Sequence, residues 1–267
     1  MTNIKLSETQ THADGLHAAP ITGRVVGVRY PEGPNREWAL MVVLVTQSKK
    51  DGGTYQGEFK VWARETREID QIVSRFRGHH NVGSWKPSGS HRVLIRPAAI
   101  NAELDSRADR DAQLNITPAS LRFNPSEAAD LVRYDEDGIA VRDGLKDAAV
   151  IGKILGISYS DDPRKPWIRL QIGVAQLGKN GDRTIQKMKV WGPGDQYDEV
   201  KRLFPTHAKG GDWKVQGTPK IRIRPASLRG AATTFKGRRY ADVVIGARSL
   251  EFDPPADADQ VRIEAEV

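Results

Sequence analysis

Apolar residues in this chain alternate with polar ones in short runs, and Gly, Asp or Pro closes each run. Alternation with a period of two marks strands that bury one face. In the second half the runs predict strands over Val150–Ser158, Trp167–Gln176, Arg183–Trp191, Pro219–Leu228 and Arg239–Phe252. Between the third and fourth the period changes. Tyr197, Val200, Leu203 and Phe204 share one face of a helix over Asp195–Phe204, with Asp195 placed to cap it. In the first half Ile69, Ile72, Val73 and Phe76 repeat that helical spacing.

The two halves are one pattern written twice, at an offset of 128 to 129 residues. ITGRVVGV at Ile21–Val28 falls on VIGKILGI at Val150–Ile157, and FKVW at Phe59–Trp62 on MKVW at Met188–Trp191. RVLIRPA at Arg92–Ala98 falls on KIRIRPA at Lys220–Ala226, and ASLRFNP at Ala119–Pro125 on RSLEFDP at Arg248–Pro254. All six tryptophans form matched pairs: Trp38 with Trp167, Trp62 with Trp191, Trp85 with Trp213. Repeats on this scale set the domain plan. The chain divides into a flexible N-terminal segment (1–19), a first domain (20–125), an acidic linker (126–148), a second domain (149–253) and an acidic tail (254–267). Three strands, a helix and two more strands is the order of an OB-fold, a five-stranded Greek-key barrel with its helix between strands three and four. The expected class is therefore mainly β, two OB-folds in tandem. An SH3-like barrel or a small sandwich is the competing reading. In the linker, Leu131–Val141 either forms a small hairpin around its Asp-Gly turn or is a solvated spacer.

Charge follows the same divisions. The 267-residue chain is +7 overall, but residues 20–125 are +5 and residues 149–252 are +11, while residues 126–148 and 253–267 are each −4. Two basic bodies point to a polyanionic partner. The chain has no cysteine, which excludes disulfides, thiol catalysis and Cys-based metal sites. No apolar run is long enough for a transmembrane helix, and the N-terminus lacks a signal-peptide pattern. A cytoplasmic location, at the nucleoid or at phage or plasmid replication sites, and no membrane partner are expected.

Alternation also says which side chains leave the barrel. On strand two of the second copy, Trp167, Arg169 and Gln171 point outward; on strand three, Lys187, Lys189 and Trp191 do. The first copy places Trp38, Leu40 and Val42 outward on strand two and Glu58, Lys60 and Trp62 on strand three, a more apolar face. Bases stack on aromatic rings without sequence readout, and neighbouring cations pair with phosphates. Trp38, Lys60, Trp62, Trp167, Arg169, Lys187, Lys189 and Trp191 are therefore candidate nucleic-acid contacts. Arg96, Arg222 and Arg224 form basic rows on strand four. The loop between strands four and five of the second copy adds Phe235, Lys236, Arg238 and Arg239. Trp85 and Trp213, in a turn between helix and strand four, are expected to plug the core.

Enzyme signals are weak. Neither a GxxxxGK[ST] loop nor a GxGxxG fingerprint occurs. His79, His80 and His91 lack further ligands at metal spacing and are expected in a solvated loop. Glu58 and Lys60 resemble half of a nuclease pair, but the second copy has Lys187 and Lys189 there. No enzymatic activity, cofactor or metal is expected.

The second copy in particular resembles the bacterial and phage single-stranded DNA-binding protein family. Val150–Ile157 is similar to its first strand. MKVWGPGDQYDEVKRL at Met188–Leu203 is similar to its third strand, aromatic-Gly pair and following helix, and KIRIRPASL at Lys220–Leu228 to the start of its fourth strand. In that family the aromatic before the Gly contacts DNA, which here is Trp191 with Trp62 as its copy. The stacking tryptophan of the family's long loop is absent, and Phe235 is the nearest substitute. The acidic end VRIEAEV lacks the aromatic-ended tip that recruits partner enzymes. The resemblance implies sequence-independent binding and protection of single-stranded DNA in replication, recombination or repair, by a homodimer presenting four barrels. Outward Leu40 and Val42 would place the first copy nearer the dimer axis. The alternatives are an RNA-binding OB protein, or an adaptor for replication or recombination proteins that uses the first-copy face.

Overall fold

The computed structural model describes residues 20–49, 52–79, 86–87, 91–105, 112–124, 133–134, 140–141, 144–145, 148–177, 182–217 and 219–253. Trp85, His80, the C-terminal tail and most of the linker lie outside them. The first repeat runs β1 (Ile21–Arg29), β2 (Ala39–Ser48), β3 (Thr54–Ala63), α1 (Thr66–Arg75), β4 (His91–Leu104) and β5 (Ala112–Phe123). Its sheet closes in the order β1-β2-β3-β5-β4, with β3 and β5 parallel. After β6 (Arg133–Tyr134) and β7 (Ala140–Val141) come β8 (Val150–Tyr159), β9 (Ile168–Leu177), β10 (Arg183–Gly192), α2 (Tyr197–Leu203), β11 (Lys220–Phe235) and β12 (Arg238–Phe252). They close the same ring, with β10 parallel to β12. A five-stranded closed barrel with the helix between strands three and four is the OB-fold, which removes the SH3-like and sandwich readings.

The alternation builds each core. Met41, Val43, Val45, Phe59 and Val61 fill the first barrel, and Ile168, Leu170, Ile172, Met188 and Val190 the second, all buried. Each such side chain contributes about 1.5–3 kcal/mol by leaving water. The repeated Arg-Pro-Ala step has a structural reason. Proline lacks the N–H a ladder needs, so it sits at a bulge. The register slips at Pro97 in β4 and at Pro225 in β11. Each helix is tied to its barrel by a repeated tyrosine. The Tyr30 hydroxyl donates to the Phe76 carbonyl at 2.7 Å, and that of Tyr159 to the Phe204 carbonyl at 3.1 Å. Burial, with Tyr197 nearby, raises the Tyr159 pKa above the ordinary tyrosine value.

Four local expectations are corrected. Asp195 does not cap α2; it lies inside a 3-10 turn, Gly194–Gln196, and α2 begins after Gln196 with no side-chain cap bond. The linker is not a plain spacer, because β6 pairs with β7. Beyond that pair, Gly144 exchanges both backbone hydrogen bonds with Thr22 of β1. The segment between strands four and five of the second copy is not a loop. β11 and β12 continue as a two-stranded ribbon to a two-residue turn, Lys236-Gly237, both at positive φ. Finally, His79 and His91 are half-buried rather than in a solvated loop: both rings pack edge-on against Phe76. Among the described residues no cluster of three or more His, Asp or Glu could hold a metal ion, and no helix is long and apolar enough to cross a membrane.

Candidate nucleic-acid interface

The outer surface of the second barrel gathers aromatic and cationic side chains that come from separate strands. On β9 and β10 the inward residues are buried, which forces Arg169, Gln171, Lys187, Lys189 and Trp191 to the other side. Trp191 is 45% exposed and lies directly opposite Arg169 in the ladder. The third member of the row comes from the segment after α2. Its backbone joins the free side of β8, where the Ile157 N–H donates to the Trp213 carbonyl at 3.0 Å. The Trp213 indole lies flat over Gly156, where a Cβ would come within 2.5 Å of ring atom Cε2. The Arg169 guanidinium sits 4.9 Å from the Trp213 ring centroid. Trp213, Arg169 and Trp191 thus cross β8, β9 and β10 in one row. Trp213 is half-buried at this face rather than a core plug. The glycine at Gly156, repeated from Gly27, is the sequence signal that an aromatic packs there.

Below that row the charges are unequal. Lys187 is exposed, and no carboxylate pairs with it among the described residues. Lys189 Nζ lies 2.6 Å from the Asp242 carboxylate and 3.2 Å from the Thr233 hydroxyl. Asp242 comes from β12 and was no part of the sequence-based site.

The β11–β12 ribbon extends the surface. Phe235 faces Arg238 and Thr233 faces Tyr240 across the ladder, so these four share the side on which Thr233 meets Lys189. Phe235 is 63% exposed and Tyr240 46%. The Lys236 ammonium lies 5.5 Å from the Phe235 ring centroid. Arg239, opposite Thr234, takes the other side of the ribbon.

The remaining candidates divide. Trp167 is half-buried immediately before β9, its carbonyl accepting from the Ser160 N–H at 3.0 Å. Arg222 is buried and bridges to Glu251 at 3.0 Å, so it is not an open cation as expected. Arg224 is exposed on β11, separated from β10 by β12.

The first barrel presents a different surface. Trp38 and Trp62 pack on each other with centroids 5.6 Å apart and planes tilted by 60°. Lys60 Nζ donates to Gln113. Arg96 is half-buried on β4, opposite Ser120. Leu40 and Val42 point outward as the alternation requires, yet they are only 7% and 8% exposed. The open apolar face expected to seat a second chain or a protein partner is therefore not present on β2.

No family model matches the sequence, and no curated protein matches it either. Among solved structures, the chain is similar to a deletion mutant of the single-stranded DNA binding protein from Thermus aquaticus. The identity is 9% and the TM-score 0.44, over 91% of this chain and 97% of that one. It is similar to the small single-stranded DNA-binding protein from Streptomyces coelicolor at 11% identity and a TM-score of 0.29, over 39% of this chain and 91% of that one. For the N-terminal domain of PriB protein from Thermoanaerobacter tencongensis the figures are 14%, 0.20, 40% and 94%.

Proposed function

We propose that the chain binds single-stranded DNA without sequence preference, mainly through the outer surface of the second barrel. One observation carries the reading: exposed Trp191 stands opposite Arg169 of the adjacent strand, exposed Lys187 lies further along the Trp191 strand on the same side, and the ribbon continues that side with Phe235, Arg238 and Tyr240. Aromatic rings accept any base by stacking, and cations beside them take the backbone. Such a surface suits coating and protecting exposed strands in replication, recombination or repair. RNA offers the same bases and phosphates and differs at the 2′-hydroxyl. With Leu40 and Val42 buried, the adaptor reading loses its docking face, and the homodimer loses the contact first suggested for it. The test is a titration of intrinsic tryptophan fluorescence with poly-dT, repeated in competition with a matched RNA. Saturable quenching that RNA displaces poorly supports the proposal. No binding overturns it, and stronger displacement by RNA reassigns it.

A further inference from the structure

The Trp213–Arg169 pair holds a cation on the protein surface through an aromatic face. A surface arginine ordinarily samples many rotamers and is paired by nearby acids. Arg169 has no carboxylate partner among the described residues, and its guanidinium rests on an indole. The indole is itself fixed. Its backbone is pinned to β8 by the Ile157 N–H and by the Val215 N–H donating to Leu155, and the ring lies against Gly156, where any side chain would collide with it. Stacking on an aromatic face restrains a guanidinium while leaving its N–H donors free at the edge. On the neighbouring strand, directly across the ladder, stands exposed Trp191.

We propose that Gly156, Trp213 and Arg169 form a preorganised phosphodiester subsite, in which the guanidinium edge binds the phosphate next to a base stacked on Trp191. The assignment rests on the single-strand reading above and makes it specific. Trp213 acts as a positioning residue: it holds the arginine and does not itself receive a base. Preorganisation matters because a cation already fixed loses less freedom when it binds. Lysine at position 169 would supply the charge but neither the planar fork nor the stack.

The full-length protein, oligo-dT and an oligomer of abasic phosphodiester units test this. Arg169→Gln is expected to weaken dT binding and to flatten the slope of log K against log salt by about 0.7, the loss of one phosphate contact on a single strand. Arg169→Lys is expected to keep the slope and still lose affinity. Trp213→Ala should behave like Arg169→Lys, with Trp213→Phe restoring most of the affinity. On the abasic oligomer the Arg169→Gln effect should persist while Trp191→Ala has none. Wild-type protein that fails to bind dT overturns the single-strand reading and the subsite together. Wild-type protein that binds dT while Arg169→Gln keeps wild-type affinity and slope overturns the subsite alone. An Arg169→Gln effect confined to base-bearing oligomers also overturns it, because the guanidinium would then be stacking on a base. Unchanged affinity of Trp213→Ala with a lowered Tm removes Trp213 as the positioning residue.

Discussion

Gln47 and Gln176, at the same place in the two repeats, each reach out of their own barrel to accept a backbone hydrogen bond from the other. Gln47 Oε1 accepts from the Leu228 N–H at 2.5 Å, and Gln176 Oε1 from the Ile100 N–H at 3.1 Å. Leu228 and Ile100 are themselves repeat partners, 128 residues apart. Residue i meets j′ and residue j meets i′, the reciprocity of a twofold interface, here within one chain. Both glutamines are buried. Gln176 also donates through Nε2 to Asn101 Oδ1 at 3.0 Å, whereas the repeat places Arg229 at that position. The barrels therefore pack as a pseudo-dimer that has begun to diverge.

Gln176→Leu is expected to destabilise the protein while leaving its nucleic-acid affinity alone. The substitution keeps the bulk and removes the acceptor of a buried N–H. Leaving such a donor unsatisfied costs about 1–3 kcal/mol. Calorimetry should show a lower Tm, and poly-dT titration below that temperature an unchanged affinity. A Tm equal to that of the wild type would show that the crossing hydrogen bond does not hold the barrels together.

The repeat-paired tryptophans Trp191 and Trp62 should respond oppositely to truncation. Trp191 is exposed, so Trp191→Ala leaves folding nearly intact and costs about 1–3 kcal/mol of binding if one base stacks there. Trp62 packs on Trp38, so Trp62→Ala should lower the Tm more and the affinity less. Melting curves and dT titrations on the two variants give a crossed pattern. Equal effects on affinity would mean that the two barrels share the strand evenly.

Much of this was legible in the sequence because local physics decided it. The period-two runs placed the five strands of the second barrel, and the repeat carried them to the first, since a slip of one residue would turn every core side chain outward. What escaped was set by partners distant in sequence. Alternation correctly turned Leu40 and Val42 outward, but direction is not exposure. The ribbon beyond Leu228 reads Arg-Gly-Ala-Ala-Thr-Thr, too small and polar to announce a strand; it is held by the ladder with β12 and the tight turn at Lys236-Gly237. Trp213 looked like a plug because its turn gave no direction. Only the fold lays it on Gly156 and under Arg169.

Binding should weaken with salt, and Lys187 should account for one step of that dependence. It is exposed with no acidic partner among the described residues. Lys187→Ala is expected to reduce the slope of log K against log salt by about 0.7, with equal weakening across dT, dA and mixed oligomers. A loss confined to one sequence would mean that Lys187 reads bases instead.

Asp242→Asn should strengthen binding, an unusual outcome for a substitution in a binding surface. The carboxylate holds Lys189 Nζ at 2.6 Å and places a negative charge on the side that would meet the strand. A phosphate must compete with it for the lysine. The repeat supplies a precedent for a neutral partner: at the equivalent place in the first barrel, Lys60 is met by Gln113. Both Lys189 and Asp242 remain partly open to water, with side-chain exposures of 35% and 24%. Surface pairs of this kind typically contribute about 0–1 kcal/mol to stability, so the variant should melt close to the wild type. Its affinity for dT at low salt should rise, and the salt slope should steepen by about 0.7 as Lys189 gains a phosphate. The increase should vanish in the double variant Lys189→Ala/Asp242→Asn. Weaker binding by Asp242→Asn, or a gain that survives the loss of Lys189, would show that the strand does not pass over this pair.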